Sequence, residues 1–170
     1  MATQIIIDGY NLIRQSQSLS WIDARNMQKG RETLINRLAA YKTVKGYKVT
    51  VVFDAWRSDN ISEERDKIKG INIVYSKTGE TADEVIKRMA SNVRESGIII
   101  TADNDIAGFA RRQGCAIVEP RAFEERMETA AFSVMKGGEE DYEYPSKDKK
   151  GPSKRASKAE RKSMQKLKKL

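Results

Sequence analysis

Short apolar runs alternate along the chain with longer stretches in which apolar residues recur every three or four positions. That is the pattern of parallel strands covered by crossover helices on both faces. It predicts strands over residues 4–7, 48–53, 71–75, 98–101 and 116–118. QIII, VTVVF and III barely alternate, so the first, second and fourth strands are expected at the sheet centre, buried on both faces. Helices are expected over 23–44, 81–95, 104–113 and 121–135. Gly46, Gly97 and Gly114 each follow a helical stretch, where a left-handed cap suits a residue without Cβ. Thr81 and Glu84 have capping-box spacing, and Pro120 can open the last helix. The sum is an α/β domain over residues 1–136 with a mainly parallel sheet of five strands. The chain carries no internal repeat.

From residue 137 to 170 the composition changes to a polar, basic tail with too little apolar content to offset the entropy of ordering it. Of 32 Lys and Arg in the 170 residues, 11 fall between 145 and 170, against only Asp148 and Glu160. The formal charge of +8 therefore resides in the tail, and the body is close to neutral. Ala156, Ala159, Met164, Leu167 and Leu170 are spaced for a basic amphipathic helix that forms on a partner. Confined basicity of this kind predicts salt-sensitive attachment to RNA or a ribosome; the plainer alternative is a solubilising terminus.

The chain has no histidine, which removes Ser-His-Asp triads, His-assisted nuclease sites and His-containing zinc sites. A single Cys115 excludes an internal disulfide and a multi-cysteine metal site, and suits a reducing compartment. No apolar run approaches the roughly 18 residues of a membrane helix, and MATQIIID has neither a basic leader nor a cleavable apolar stretch. A cytoplasmic protein without membrane partners is expected. No glycine is followed by Lys and no two are separated by one residue, which excludes a Walker A loop and a G-x-G-x-x-G turn.

The acids are placed more tellingly than the glycines. Asp8 ends the first strand, Asp54 the second, and Asp103 follows the fourth. In a parallel sheet these ends share the edge where open α/β sheets bind ligands. In the helix that follows the third strand, the apolar stripe is Val85, Ile86, Met89, Ala90 and Val93. Asp83 borders that stripe and can reach the strand edge, while Glu84 points to water. Asp105, two residues past Asp103, reaches the same pocket if the chain turns there. Crowded carboxylates need a counterion. No lysine adjoins the strand ends in sequence, so a divalent cation is expected, and oxygen-only ligands select Mg²⁺ or Mn²⁺. Such an ion can activate water for attack on a phosphodiester without imidazole.

Each residue also has a plainer role open to it. Asp8 before Gly9 fits a turn, Asp103 a helix N-cap, Asp105 a solvated first-turn acid, and Asn11 a self-bonded loop. Glu80 and Glu84 read as surface charges, and Cys115, Met89 and Met127 as packing residues. Trp56 and Tyr10 follow strand-end acids, where they would either stack a nucleobase or be partly buried. An aspartyl phosphatase at FDAW lacks a nearby acid, because Trp56 occupies the position two after Asp54. The same metal chemistry would serve DNA as well as RNA.

IIIDGYNLI, VVFDAW, KTGETADEVI and ITADNDIA, in that order, resemble the NYN-domain ribonucleases and, more narrowly, their bacterial YacP-like branch. The likeness spans about residues 4–135. It implies a PIN-like three-layer α/β/α fold, an acidic Mg²⁺ or Mn²⁺ site and endonucleolytic cleavage of RNA, one bacterial relative acting on messenger RNA at the ribosome. Carried over, it puts Asp8, Asp83 and Asp103 in the metal site, with Asn11 and Asp54 beside them for substrate. Ala102, Asn104 and Asp105 depart from the TSD-like motif of the family. The non-enzymatic alternative is an inactive RNA- or ribosome-binding factor that keeps the fold.

Overall fold

In the computed structural model of the protein, which describes residues 2–55, 63–136 and 157–170, all five expected strands form and a sixth joins them. Strand β1 (Gln4–Asp8) leads through α1 (Gly9–Gln15), α2 (Gln17–Arg25) and α3 (Met27–Lys45) to β2 (Lys48–Phe53). A hairpin of β3 (Glu64–Ile68) and β4 (Ile71–Tyr75) follows, then α4 (Ala82–Val93), β5 (Gly97–Ile100) and α5 (Asn104–Arg112). The chain continues through β6 (Ala116–Val118) and α6 (Pro120–Lys136), and ends in α7 (Lys158–Lys168). The sheet order is β3-β4-β2-β1-β5-β6, with only β3 antiparallel to its neighbour.

The weak alternation of the central strands has the expected cause. Ile5, Ile7, Val51, Phe53, Ile98 and Ile100 pack with Leu12, Leu34, Leu38 and Phe123 on one side of the sheet. Ile6, Val52 and Ile99 pack with Val85, Ile86, Ile106 and Ala110 on the other. Both faces are covered, giving three layers, α/β/α. Among the described residues, no helix is long and apolar enough to cross a membrane.

Four local expectations are corrected. The helix expected over 23–44 is interrupted at Asn26, whose φ of −155° is extended and whose side chain accepts from the Lys29 N–H to cap α3. Helix α1 was hidden because seven residues give too few turns for a periodic signal. Strand β3, ERDKI, is exposed at every position; its cause is the turn at Lys69 and Gly70, both at positive φ (51° and 81°), which suits a tight hairpin. Gly97 is not a left-handed cap. It opens β5 at φ −88°, where a Cβ would lie 2.4 Å from Val93 Cγ2. The capping box at Thr81 and Glu84 forms, Pro120 opens α6, and Gly46 caps α3 at φ 70°.

The amphipathic helix that the tail's spacing allows is formed. Residues 137–156 lie outside the described residues, but α7 takes the body of the chain itself as its partner. Leu167 and Leu170 pack on the core beside β6, and the hydroxyls of Tyr41 and Tyr47 donate to the carbonyls of Leu170 (3.1 Å) and Lys169 (2.8 Å). Lys162 pairs with Glu95 at 3.0 Å. These contacts satisfy carbonyls that a helix end leaves open.

Candidate active site

The carboxyl ends of β1, β2 and β5 lie side by side, with Asp8 level with Val52 in register. Asp8 closes β1 on the same face as Ile6, toward α4, and is 8% exposed. Gly9 follows because the turn into α1 passes against β2: a Cβ there would lie 2.4 Å from Phe53 Cε1 and 2.9 Å from Val51 Cγ1. The immediate turn carries Asn11 across the edge, where its Oδ1 accepts from the Ala102 N–H at 2.8 Å. Asn11 thus holds the loop between β5 and α5.

Asp54 performs the matching task on the other flank. Its Oδ1 accepts from the Ala82 N–H at 2.5 Å, anchoring the first turn of α4 and with it Asp83. Asp103 Oδ1 accepts from the N–H groups of Asp105 (2.8 Å) and Ile106 (3.0 Å), so the N-cap role is real. Thr101, which sequence reasoning passed over, ties two acids together. Its hydroxyl donates to Asp8 Oδ2 at 3.4 Å and accepts from the Asp103 N–H at 3.1 Å. A buried hydroxyl at a strand end, flanked by acids, was the only signal available.

Electrostatics show which acids are gathered. Burial, then Asp83, push Asp8 up to about 7, with Asp54 adding to the rise and the Asn11 backbone and Thr101 hydroxyl opposing it. Burial, then Asp103 and Asp54, raise Asp83 as well, opposed by Lys87. Asp83 is therefore the hub: it acts on Asp8 and is itself acted on by Asp103 and Asp54, with Asp105 a smaller influence. Among the described residues, no three of these side chains close on one point as a formed ligand set.

Asp105 stands apart from the gathered acids. Its exposed carboxylate is ion-paired with Lys87, which holds it below the usual carboxylate range. Lys87 corrects the expectation that no lysine stands near these acids: it lies one turn after Asp83 on α4 and bridges to α5. No basic side chain makes a described ion pair with Asp8, Asp54, Asp83 or Asp103. An oxygen-only donor set, partly buried and strained by its own charge, fits a hard divalent cation.

Of the neighbouring residues, Glu84 is exposed and serves the cap of α4. Glu80 is not a surface charge; its side chain is 8% exposed and paired with Arg88, which also reaches Glu63 at 2.5 Å. Tyr10 is buried, its ring edge-to-face with Phe53 at 5.0 Å between centroids, and is unavailable to a base. Trp56 lies outside the described residues. Cys115, raised by burial to about 11, and Met127 are packing residues as expected.

Comparison with known proteins places the fold. The family model for the YacP-like NYN domain matches residues 5–170, α7 included. The uncharacterized protein YacP of Bacillus subtilis (strain 168) is 29% identical over 102 residues, an alignment covering 58% of this chain and 59% of that one. The chain thus spans less than two thirds of that relative in the alignment. Two crystal structures of Rae1 (YacP) from Bacillus subtilis, one of a point mutant, superpose with a TM-score of 0.66 at 26% and 25% identity. They cover 81% and 79% of this chain, and 79% and 80% of theirs is matched. With its three-layer fold and its crowded acidic sheet edge, the chain belongs to the YacP-like NYN domain family, which is nuclease-like.

Proposed function

We propose that this protein is a metal-dependent endoribonuclease whose Asp8, Asp83 and Asp103 hold Mg²⁺ or Mn²⁺. The observation that carries this is the convergence of acids from three strand ends and one helix start, with Asp8 pushed up to about 7 and no basic side chain bonded to it among the described residues. When bound, a divalent ion supplies a water of lowered pKa and countercharge for the phosphate. Burial and Asp83 push Asp8 up to about 7, so a cation held beside it would favour its charged form. Asn11, Asp54 and Thr101 are positioning residues: they fix the β5–α5 loop, the start of α4, and the spacing of Asp8 from Asp103. Asp105 neutralises Lys87 and is left out of the ligand set.

The substrate of this reading is RNA, with messenger RNA on a ribosome as the setting that the family resemblance implies. The outward cations of α7 hold the polyanion away from the cutting edge. The rival reading, an inactive RNA- or ribosome-binding factor, draws on the docked basic helix, whose attachment to RNA needs no metal. Purified protein with single-stranded or ribosome-bound RNA separates the two. Cleavage that requires Mg²⁺ or Mn²⁺, is absent in Asp8→Asn and Asp83→Asn, and leaves folding intact supports the nuclease; binding with no cleavage supports the rival.

A further inference from the structure

The turn between α2 and α3 carries a surface that the acidic edge does not use. Trp21 is 62% exposed, an unusual state for so large an apolar ring. The Arg25 guanidinium lies 3.6 Å over its centroid and donates to the Trp21 carbonyl at 3.2 Å. The pair is therefore held in place by the helix itself. Two residues after α2 ends, α3 begins, and its first turns present Lys29 and Arg31. Arg31 donates to the Tyr10 hydroxyl at 3.0 Å, and Tyr10 is two residues from Asp8. The topology therefore brings this corner to the same end of the sheet as the acids.

Charge selects the occupant. None of Arg25, Lys29 and Arg31 makes a described ion pair. The neighbouring acids are turned elsewhere: Asp23 faces inward against Gly30, and Glu32 accepts from Gln28 at 3.0 Å. A flat exposed ring with a guanidinium stacked on it that makes no described ion pair suits a base and its flanking phosphate, whereas a hydrophobic protein partner would leave that guanidinium unpaired on burial. We infer that Trp21 and Arg25 form a stacking platform for one base of single-stranded RNA whose backbone runs along the sheet end that carries Asp8. This rests on the nuclease reading for the direction of the strand, but binding is measured apart from cleavage.

The test uses the full chain with Trp56→Phe, so that Trp21 is the sole tryptophan, and titrates single-stranded oligouridylate in EDTA. Saturable quenching of Trp21 is expected, with weaker quenching by duplex RNA. In the native sequence, Trp21→Ala and Arg25→Ala should each raise KM about tenfold with kcat unchanged, while Trp21→Phe retains most of the affinity. Arg111→Ala, an exposed cation at the far end of α5, controls for lost charge alone. Absent quenching, an unchanged KM in Trp21→Ala, or a dimer that Trp21→Ala dissociates would overturn the platform and leave the acidic site standing. Quenching by a protein that never cleaves RNA would keep the platform and defeat the nuclease.

Discussion

At the carboxyl ends of the strands, Asp8, Asp54, Asp83 and Asp103 repel one another with no described ion pair, whereas at the opposite ends the charges and carbonyls are matched. There Lys162 meets Glu95, and Tyr41 and Tyr47 satisfy the last carbonyls of the chain. The same sheet thus has one end built for its own stability and one that works against it. Burying Asp8 beside Asp83 costs folding free energy that a purely structural edge would not retain. The basic helix, by contrast, is anchored by apolar and hydrogen-bonded contacts and keeps most of its cations outside.

The contrast is broken most severely by Asp8→Asn or Asp83→Asn, each of which should reduce metal-dependent RNA cleavage to background in a gel assay while circular dichroism stays unchanged. The next effect is on pH. Burial lifts Asp8 above its unfolded value, so the folded metal-free protein holds a proton that the unfolded chain has released. That stabilisation is complete below the ordinary carboxylate range and is lost as pH rises through about 7. Asp8→Asn should therefore stabilise the metal-free protein by roughly 2–4 kcal/mol more at about pH 8.5 than at about pH 4, read by urea unfolding. A pH-independent difference would show that Asp8 is not crowded.

Smaller effects sharpen the division. Asn11→Ala frees the Ala102 N–H and should lower kcat by about 10–100-fold, the range for residues that orient ligands, with the melting temperature little changed. At the other end, Leu170→Ala should cost about 2 kcal/mol of stability while leaving cleavage of a short RNA intact. Because α7 is docked, cutting away the tail removes packing together with charge. Charge reversal at the exposed Lys158 and Lys168 is the cleaner probe of RNA attachment.

Much of this was legible in the chain. Strand-end acids are readable because parallel strands share an edge, and Asp83 is readable because a helix repeats about every 3.6 residues. What escaped depends on contacts between distant segments. Lys87 meets Asp105 only because α4 packs on α5, and Tyr41 meets Leu170 across 129 positions. Asn11 and Asp54 were expected beside the site, while their bonds to Ala102 and Ala82 are long-range ties that no local pattern encodes. β3 was missed because an exposed edge strand needs no apolar alternation. Charge in the tail was visible; its anchorage to two tyrosine hydroxyls was not.

Titrating Mn²⁺ into the RNA-free protein and following the free ion by electron paramagnetic resonance tests the gathered acids most directly. Saturable binding is expected in the native protein and in Glu84→Gln, with loss in Asp8→Asn and in Asp83→Asn. Equal binding by all four proteins, or by none, would contradict it.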